Sequence, residues 1–171
     1  MIPNALKTLF FILIMMLIAS CSSQKIQLQV QVFKPYCGGA KPTPSQENGN
    51  LYSAAGMTLD LFGVDQDDNK KVERIILDDN GLWKGTLKKG QYILKQADKG
   101  LSLTALKVKY HLNDTLNYKY IGDKKLDQWT KETDFVFRVV ASDTLRKDFV
   151  LKEKCFVGLN PCFEYIGPKP R

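Results

Sequence analysis

An all-β sandwich is the fold this sequence predicts, and three observations predict it. Residues 26–32, IQLQVQV, alternate apolar and polar side chains without a break, the period of a half-buried strand. Short β-like segments then recur along the chain with turn residues between them. No window of eleven or more residues after Cys21 sustains helical periodicity, which also argues for an all-β fold.

The elements follow in order. After the strand at 26–32, residues 34–50, KPYCGGAKPTPSQENGN, concentrate proline, glycine and small polar residues and read as a long loop. A loop of that length inside one domain is functional, stapled or mobile. MTLDLFG then places Met57, Leu59 and Leu61 on one strand face, and VERIIL follows at 72–77 after the polar stretch DQDDNK. Asn80-Gly81 offers the two positive φ angles of a type I′ turn, which predicts a tight hairpin between strands ending near Leu77 and starting at Leu82. Lys88-Lys89-Gly90 marks another turn before a strand over 91–95. Leu106, Val108 and Tyr110 alternate with Lys107 and Lys109, predicting a strand over 103–110. The segment 117–131, with Trp129, has no clear period and reads as a loop or one short helix. FVFRVV at 135–140 and residues 147–151 supply the last strands.

Residues 78–92, DDNGLWKGTLKKGQY, resemble the D-x-x-G-x-aromatic-x-x-x-L-x-x-G-x-Y signature of carboxypeptidase regulatory-like domains. The resemblance implies a single transthyretin-like β-sandwich in which Trp83 and Leu87 point into the core and Tyr92 plugs the sandwich edge. It covers these residues closely, and 51–97 if the preceding strand pair is included. The head at 34–40 and the tail at 160–168 are similar to those of small lipoproteins carrying this domain. No reaction is implied, because such a domain is usually an accessory module.

The N-terminus predicts an address. One positive charge, Lys7, precedes the apolar run LFFILIMMLIA, the layout of an export signal over residues 1–20 and too short to span a bilayer. LIASC resembles the lipobox of bacterial lipoproteins, which implies that Cys21 becomes the acylated N-terminus of the mature protein. Residues 21–25 would then form the tether and 26–171 the domain. No aspartate follows Cys21, and in the sorting of the lipoproteins this stretch resembles that favours the outer membrane, with the mature domain either periplasmic or surface-exposed. Multiple acyl chains are what make such an anchor stable, at about 0.8 kcal/mol per buried CH₂.

Charge and cysteines bound the function further. The chain carries +7, falling to about +6 without Lys7, but basic and acidic residues interleave throughout, so no nucleic-acid partner is expected. With Cys21 lipidated, Cys37, Cys155 and Cys162 remain in an oxidising compartment, enough for one bridge and one leftover thiol. A bridge from Cys37 to Cys155 or Cys162 is favoured because it closes the longer loop. The short loop CFVGLNPC between Cys155 and Cys162 competes with it.

Catalytic chemistry finds little support. His111 is the one histidine, whereas a zinc carboxypeptidase needs several His and Glu ligands. A serine triad would depend on the same His111, and no G-x-S-x-G elbow is present. Asp65-Gln66-Asp67-Asp68-Asn69 has the oxygen density of a calcium loop, but Lys70 and Ile76 stand where an EF-hand needs Gly and Glu. No cofactor and no metal are expected. The sequence thus predicts a membrane-anchored, non-catalytic binding or scaffolding module for glycan or protein partners, with loop 34–50 and tail 155–171 as contact surfaces. One alternative is a metal- or redox-responsive envelope protein using Cys37, Cys155 and Cys162; another is an envelope hydrolase.

Overall fold

The computed structural model describes residues 23–39, 41–64, 69–140 and 144–168. They form a two-sheet β-sandwich capped at one side by a small α/β lobe. The first sheet is organised around β1 (Ser23–Lys34), whose inward residues Ile26, Leu28, Val30 and Val32 are each at most 2 % exposed. β5 (Leu82–Lys88) pairs antiparallel with its first half, and β2 (Asn50–Ser53) with its last four residues. Along the opposite edge lies β9 (Thr144–Lys152), running parallel to β1 over nine residue pairs. The second sheet has the order β4 (Asn69–Ile76), β3 (Thr58–Val64), β6 (Gly90–Gln96), β8 (Phe135–Val139), all antiparallel.

The core sits between the sheets. Ile26, Leu28 and Val30 meet Leu59, Leu61, Leu94 and Val139, all almost completely buried. β1 contributes every second residue, so the alternation read at 26–32 is the burial pattern itself. Trp83 is half-buried against this core and Leu87 is buried within it. Tyr92 stacks on Phe137 at 5.6 Å between centroids, and its hydroxyl donates to the Lys88 carbonyl at 2.9 Å. That bond fastens the crossing from β5 to β6, which belong to different sheets.

The hairpin expected at Asn80-Gly81 is not a hairpin. β4 and β5 lie in different sheets, and residues 77–82 carry the chain across the sandwich. Gly81 has φ 71° but Asn80 has no positive φ, so a type I′ turn does not form. Instead the Asp78 carboxylate accepts the N–H groups of Asn80 and Leu82 at 2.9 and 2.8 Å, and the Asp78 carbonyl accepts from Gly81 at 2.8 Å. Where the partner of β1 changes from β5 to β2, the Val30 N–H donates to the Gly81 carbonyl and the Val30 carbonyl accepts from Ala54. Glycine is required at that junction. A Cβ on residue 81 would stand 2.4 Å from the Val30 oxygen and 2.9 Å from the Ala54 nitrogen. Gly81→Ala combines this backbone clash with a left-handed φ and is expected to cost about 1–3 kcal/mol, measured as a drop in unfolding free energy by urea titration. A loss below about 0.5 kcal/mol would mean that the three segments do not meet there.

The strand expected over 103–110 is a helix, α2 (Leu103–Lys109). Ser102 caps it, its hydroxyl accepting the Ala105 N–H at 3.3 Å. Leu103, Leu106 and Tyr110 turn to the lobe's own core, whereas Val108 is 60 % exposed. The apparent period of two arose because Lys107 and Lys109 flank a helical apolar face made by Leu103, Leu106 and Tyr110, while Val108 faces solvent. The loop at 34–50 also contains one helical turn, α1 (Pro44–Glu47), closed by a capping box in which the Thr43 N–H donates to the Gln46 side chain at 2.9 Å. Segment 117–131 provides β7 (Tyr118–Tyr120) and α3 (Asp123–Lys131). β7 pairs with β10 (Phe163–Tyr165), and the lobe's core gathers Leu106, Leu112, Trp129, Val157, Cys162 and Phe163.

Candidate functional site

Two β-strands that run parallel end side by side. The β1–β9 register closes on Phe33 opposite Lys152, and the Glu153 N–H extends it by donating to the Phe33 carbonyl at 2.9 Å. Cys37 follows four residues after Phe33 and Cys155 three after Lys152, which brings their Cα atoms to 5.4 Å and joins them in a disulfide. The staple therefore ties loop 34–50 to the start of the tail. Tyr52 on β2 reinforces it, its hydroxyl donating to the Glu153 carboxylate. Burial, reinforced by that carboxylate, pushes the Tyr52 hydroxyl pKa above its usual value.

Each half of the bridge lines a groove. One, of about 320 Å³, is walled by Cys37, Tyr36, Lys34, Gln46 and Asn50. The other, of about 440 Å³, is walled by Cys155, Phe156, Tyr165, Ile121, Lys154 and Glu164. Phe156 has φ 67°, within a loop closed by reciprocal backbone bonds between Lys154 and Gly158 at 2.8 and 3.1 Å. Its ring lies 4.4 Å from that of Tyr165, which in turn meets Tyr118 edge-on at 5.5 Å.

A third cleft, of about 250 Å³, separates the lobe from the sandwich. At its wall the Lys99 amine, on a 3-10 turn over Ala97–Gly100, pairs with Asp134 at 2.9 Å. The same amine donates to the Glu132 carbonyl at 2.8 Å and stands 5.7 Å from the Trp129 ring centroid. Asp134 also accepts the Gln96 backbone and side-chain N–H groups at 2.6 and 3.1 Å. These groups fasten the end of α3 to the end of β6, and their partners are within the protein.

The residues singled out by sequence are thus divided. Cys37 and Cys155 are bonded, while Cys162 is a buried thiol in the lobe's core, its pKa pushed up by burial. Among the described residues no three His, Cys, Asp or Glu side chains are grouped to hold a metal ion. Cys21 and the stretch 65–68 lie outside the described residues. His111 ends α2 in a left-handed conformation, φ 55°. Its N–H donates to the Val108 carbonyl and that of Leu112 to the Lys107 carbonyl, a Schellman ending that delivers Leu112 to the same core cluster as Leu106. Glycine suits that position better than any residue with a side chain. His111→Gly is expected to hold or raise stability by about 0.5 kcal/mol and His111→Val to lower it by about 1–2 kcal/mol, read from thermal unfolding. The reverse order would give the imidazole a role of its own.

The aromatic residues beside the staple were not found by sequence reasoning. Nothing in the letters Tyr36, Phe156 and Tyr165 marks them apart from core aromatics, since their exposure is set by the staple and by the turn at 154–158.

No protein-family model matches this chain, and no curated protein matches it. Among solved structures it is similar to a point mutant of the shaft pilin spaA from Lactobacillus rhamnosus GG. There the identity is 10 % and the TM-score 0.38, over 77 % of this chain and 50 % of the pilin. It is also similar to a 9R-lipoxygenase from Cyanothece PCC8801, at 8 % identity and TM-score 0.30, over 81 % of this chain and 19 % of that one. The chain therefore spans half or less of the length of either. The β-sandwich assignment rests on this chain's own strand registers.

Proposed function

We propose that this chain is a membrane-anchored envelope lipoprotein whose β-sandwich is a non-catalytic binding or scaffolding module for a glycan or protein partner. The observation that carries the reading is the course of β1. It begins at Ser23, two residues after Cys21, and continues for twelve residues to Lys34 at the stapled end. At about 3.3 Å per residue that is a strut of roughly 40 Å. With acyl chains on Cys21, the strut would direct the stapled loop and tail away from the bilayer. The non-catalytic part draws on His111, whose backbone conformation accounts for it as a helix ending.

Expression of the full chain in a bacterial host tests the tether. The protein is expected in the membrane fraction, with an N-terminal peptide whose mass carries acyl groups on Cys21, and Cys21→Ala is expected to lose both. A soluble protein with an unmodified Cys21 would sink the reading.

A further inference from the structure

We propose that the two grooves flanking the Cys37–Cys155 bridge form one extended site for an acidic polysaccharide. This deepens the binding reading above and rests on it. Tyr36 on one side and the Phe156–Tyr165 pair on the other supply the faces on which sugar rings stack, and Lys34 and Lys154 meet the carboxylates.

The first support is the backbone of Phe156. A left-handed φ is disfavoured for a bulky side chain, and glycine holds the equivalent conformation two residues later, at Gly158, φ 64°. Nor does core burial offset the strain, because Phe156 stays 38 % exposed. What the conformation does achieve is to stand the ring beside Tyr165 on the wall of the groove. Strain held at an exposed aromatic is a feature of ligand sites.

A second support is the pairing of the grooves. Cys37 lines one and Cys155 the other, so the covalent bridge links the wall of one groove to the wall of the other. Tyr36 is held low over the loop because residue 38 is glycine, where a Cβ would stand 2.1 Å from the Tyr36 hydroxyl oxygen. Each groove thus offers an aromatic face and a lysine, with the Gln46 and Asn50 amides in one and, in the other, the Glu164 carboxylate, which can accept sugar hydroxyls but opposes an anion. A ligand that repeats the same chemistry along its length fits such a duplicated arrangement.

Ligand class follows from charge and shape. Lys34 and Lys154 are exposed and make no ion pair among the described residues. A pyranose ring presents C–H groups to an aromatic face and hydroxyl groups at its edge, and a uronic acid adds one carboxylate per unit. Shallow grooves of this kind suit rings lying flat rather than side chains inserted end-on.

The full-chain protein in detergent micelles would be run by affinity electrophoresis through gels containing polygalacturonate, dextran or polyglutamate. Retardation is expected in polygalacturonate alone and to diminish with added salt. Phe156→Gly and Lys154→Glu are each expected to weaken it at least tenfold, with the thermal midpoint of Phe156→Gly unchanged or raised. Tyr36→Ala, outside the strained turn, is expected to weaken it as well. Equal retardation by polyglutamate would overturn the sugar in favour of an acidic polypeptide. Binding indifferent to Phe156→Gly and Tyr36→Ala would overturn the stacking faces. No retardation by polygalacturonate, in a protein whose Cys21 is acylated, would overturn the ligand class and leave the tether standing.

Discussion

Replacing Cys37 and Cys155 together by serine is expected to lower the free energy of unfolding by about 4 kcal/mol, the largest effect of any change considered for this chain. The bridge closes a loop of 118 residues, the sequence separation of the two cysteines. Chain-entropy reasoning gives about 5 kcal/mol for a loop of that size, and measured values usually fall below the ideal. The native ends are already placed together by the parallel register of β1 and β9, so the bridge forms between strands that hydrogen bonds hold in position. Its contribution therefore acts mainly on the unfolded chain. Denaturant titration of the oxidised protein against the double variant measures it. A difference under about 1 kcal/mol would show that the unfolded chain keeps these segments together without the bond.

The second largest effect is expected at Lys99. Lys99→Met removes the cation from a pair in which the lysine side chain is 4 % and the aspartate 10 % exposed, leaving Asp134 charged and opposed only by the Gln96 N–H groups. Removing one partner of a buried pair costs about 3–5 kcal/mol, and the residual Gln96 bonds place this case near the lower figure. Adding Asp134→Asn removes the orphaned charge and keeps an acceptor for the Gln96 backbone, so the double variant is expected to recover at least about 1.5 kcal/mol. A double-mutant cycle by urea unfolding measures the coupling. Additive losses would mean that water in the neighbouring cleft already screens the two groups.

The strands were legible wherever one face is buried and the other wet. Ile26 to Val32 could be read because a sheet with one solvated face imposes a period of two on the side chains. The same period misled at 103–110, where two lysines fell by chance between apolar residues. The competing evidence was present in Ser102 as a helix cap and in Leu103, Leu106 and Tyr110 at helical spacing. At Asn80-Gly81 the glycine was rightly read as a position of positive φ. The hairpin was inferred from local letters, yet which sheet each strand joins is decided by the core.

The candidate site was legible in outline and illegible in detail. Loop 34–50 and the tail could be linked through Cys37, but the choice of Cys155 over Cys162 follows from the parallel register of strands 119 residues apart, which no local pattern encodes. Phe156 gave no signal at all, since its φ is imposed by a closed five-residue loop and the bridge beside it. Lys99 and Asp134 looked like surface charges among many, and only the docking of α3 against the sandwich buries them.

The pairing of β1 with β9 has a temporal meaning. Lys25 aligns with Thr144, so one whole edge of the first strand stays open until the last long strand has been made and delivered. Contacts this remote in sequence fold slowly, because loop closure is unfavourable until the ladder forms. A chain halted before residue 144 would present β1 as an unpaired edge with apolar residues on its inner face, a template for aggregation. The sandwich is thus completed from its two ends, and its first sheet cannot close until almost the whole chain has been made.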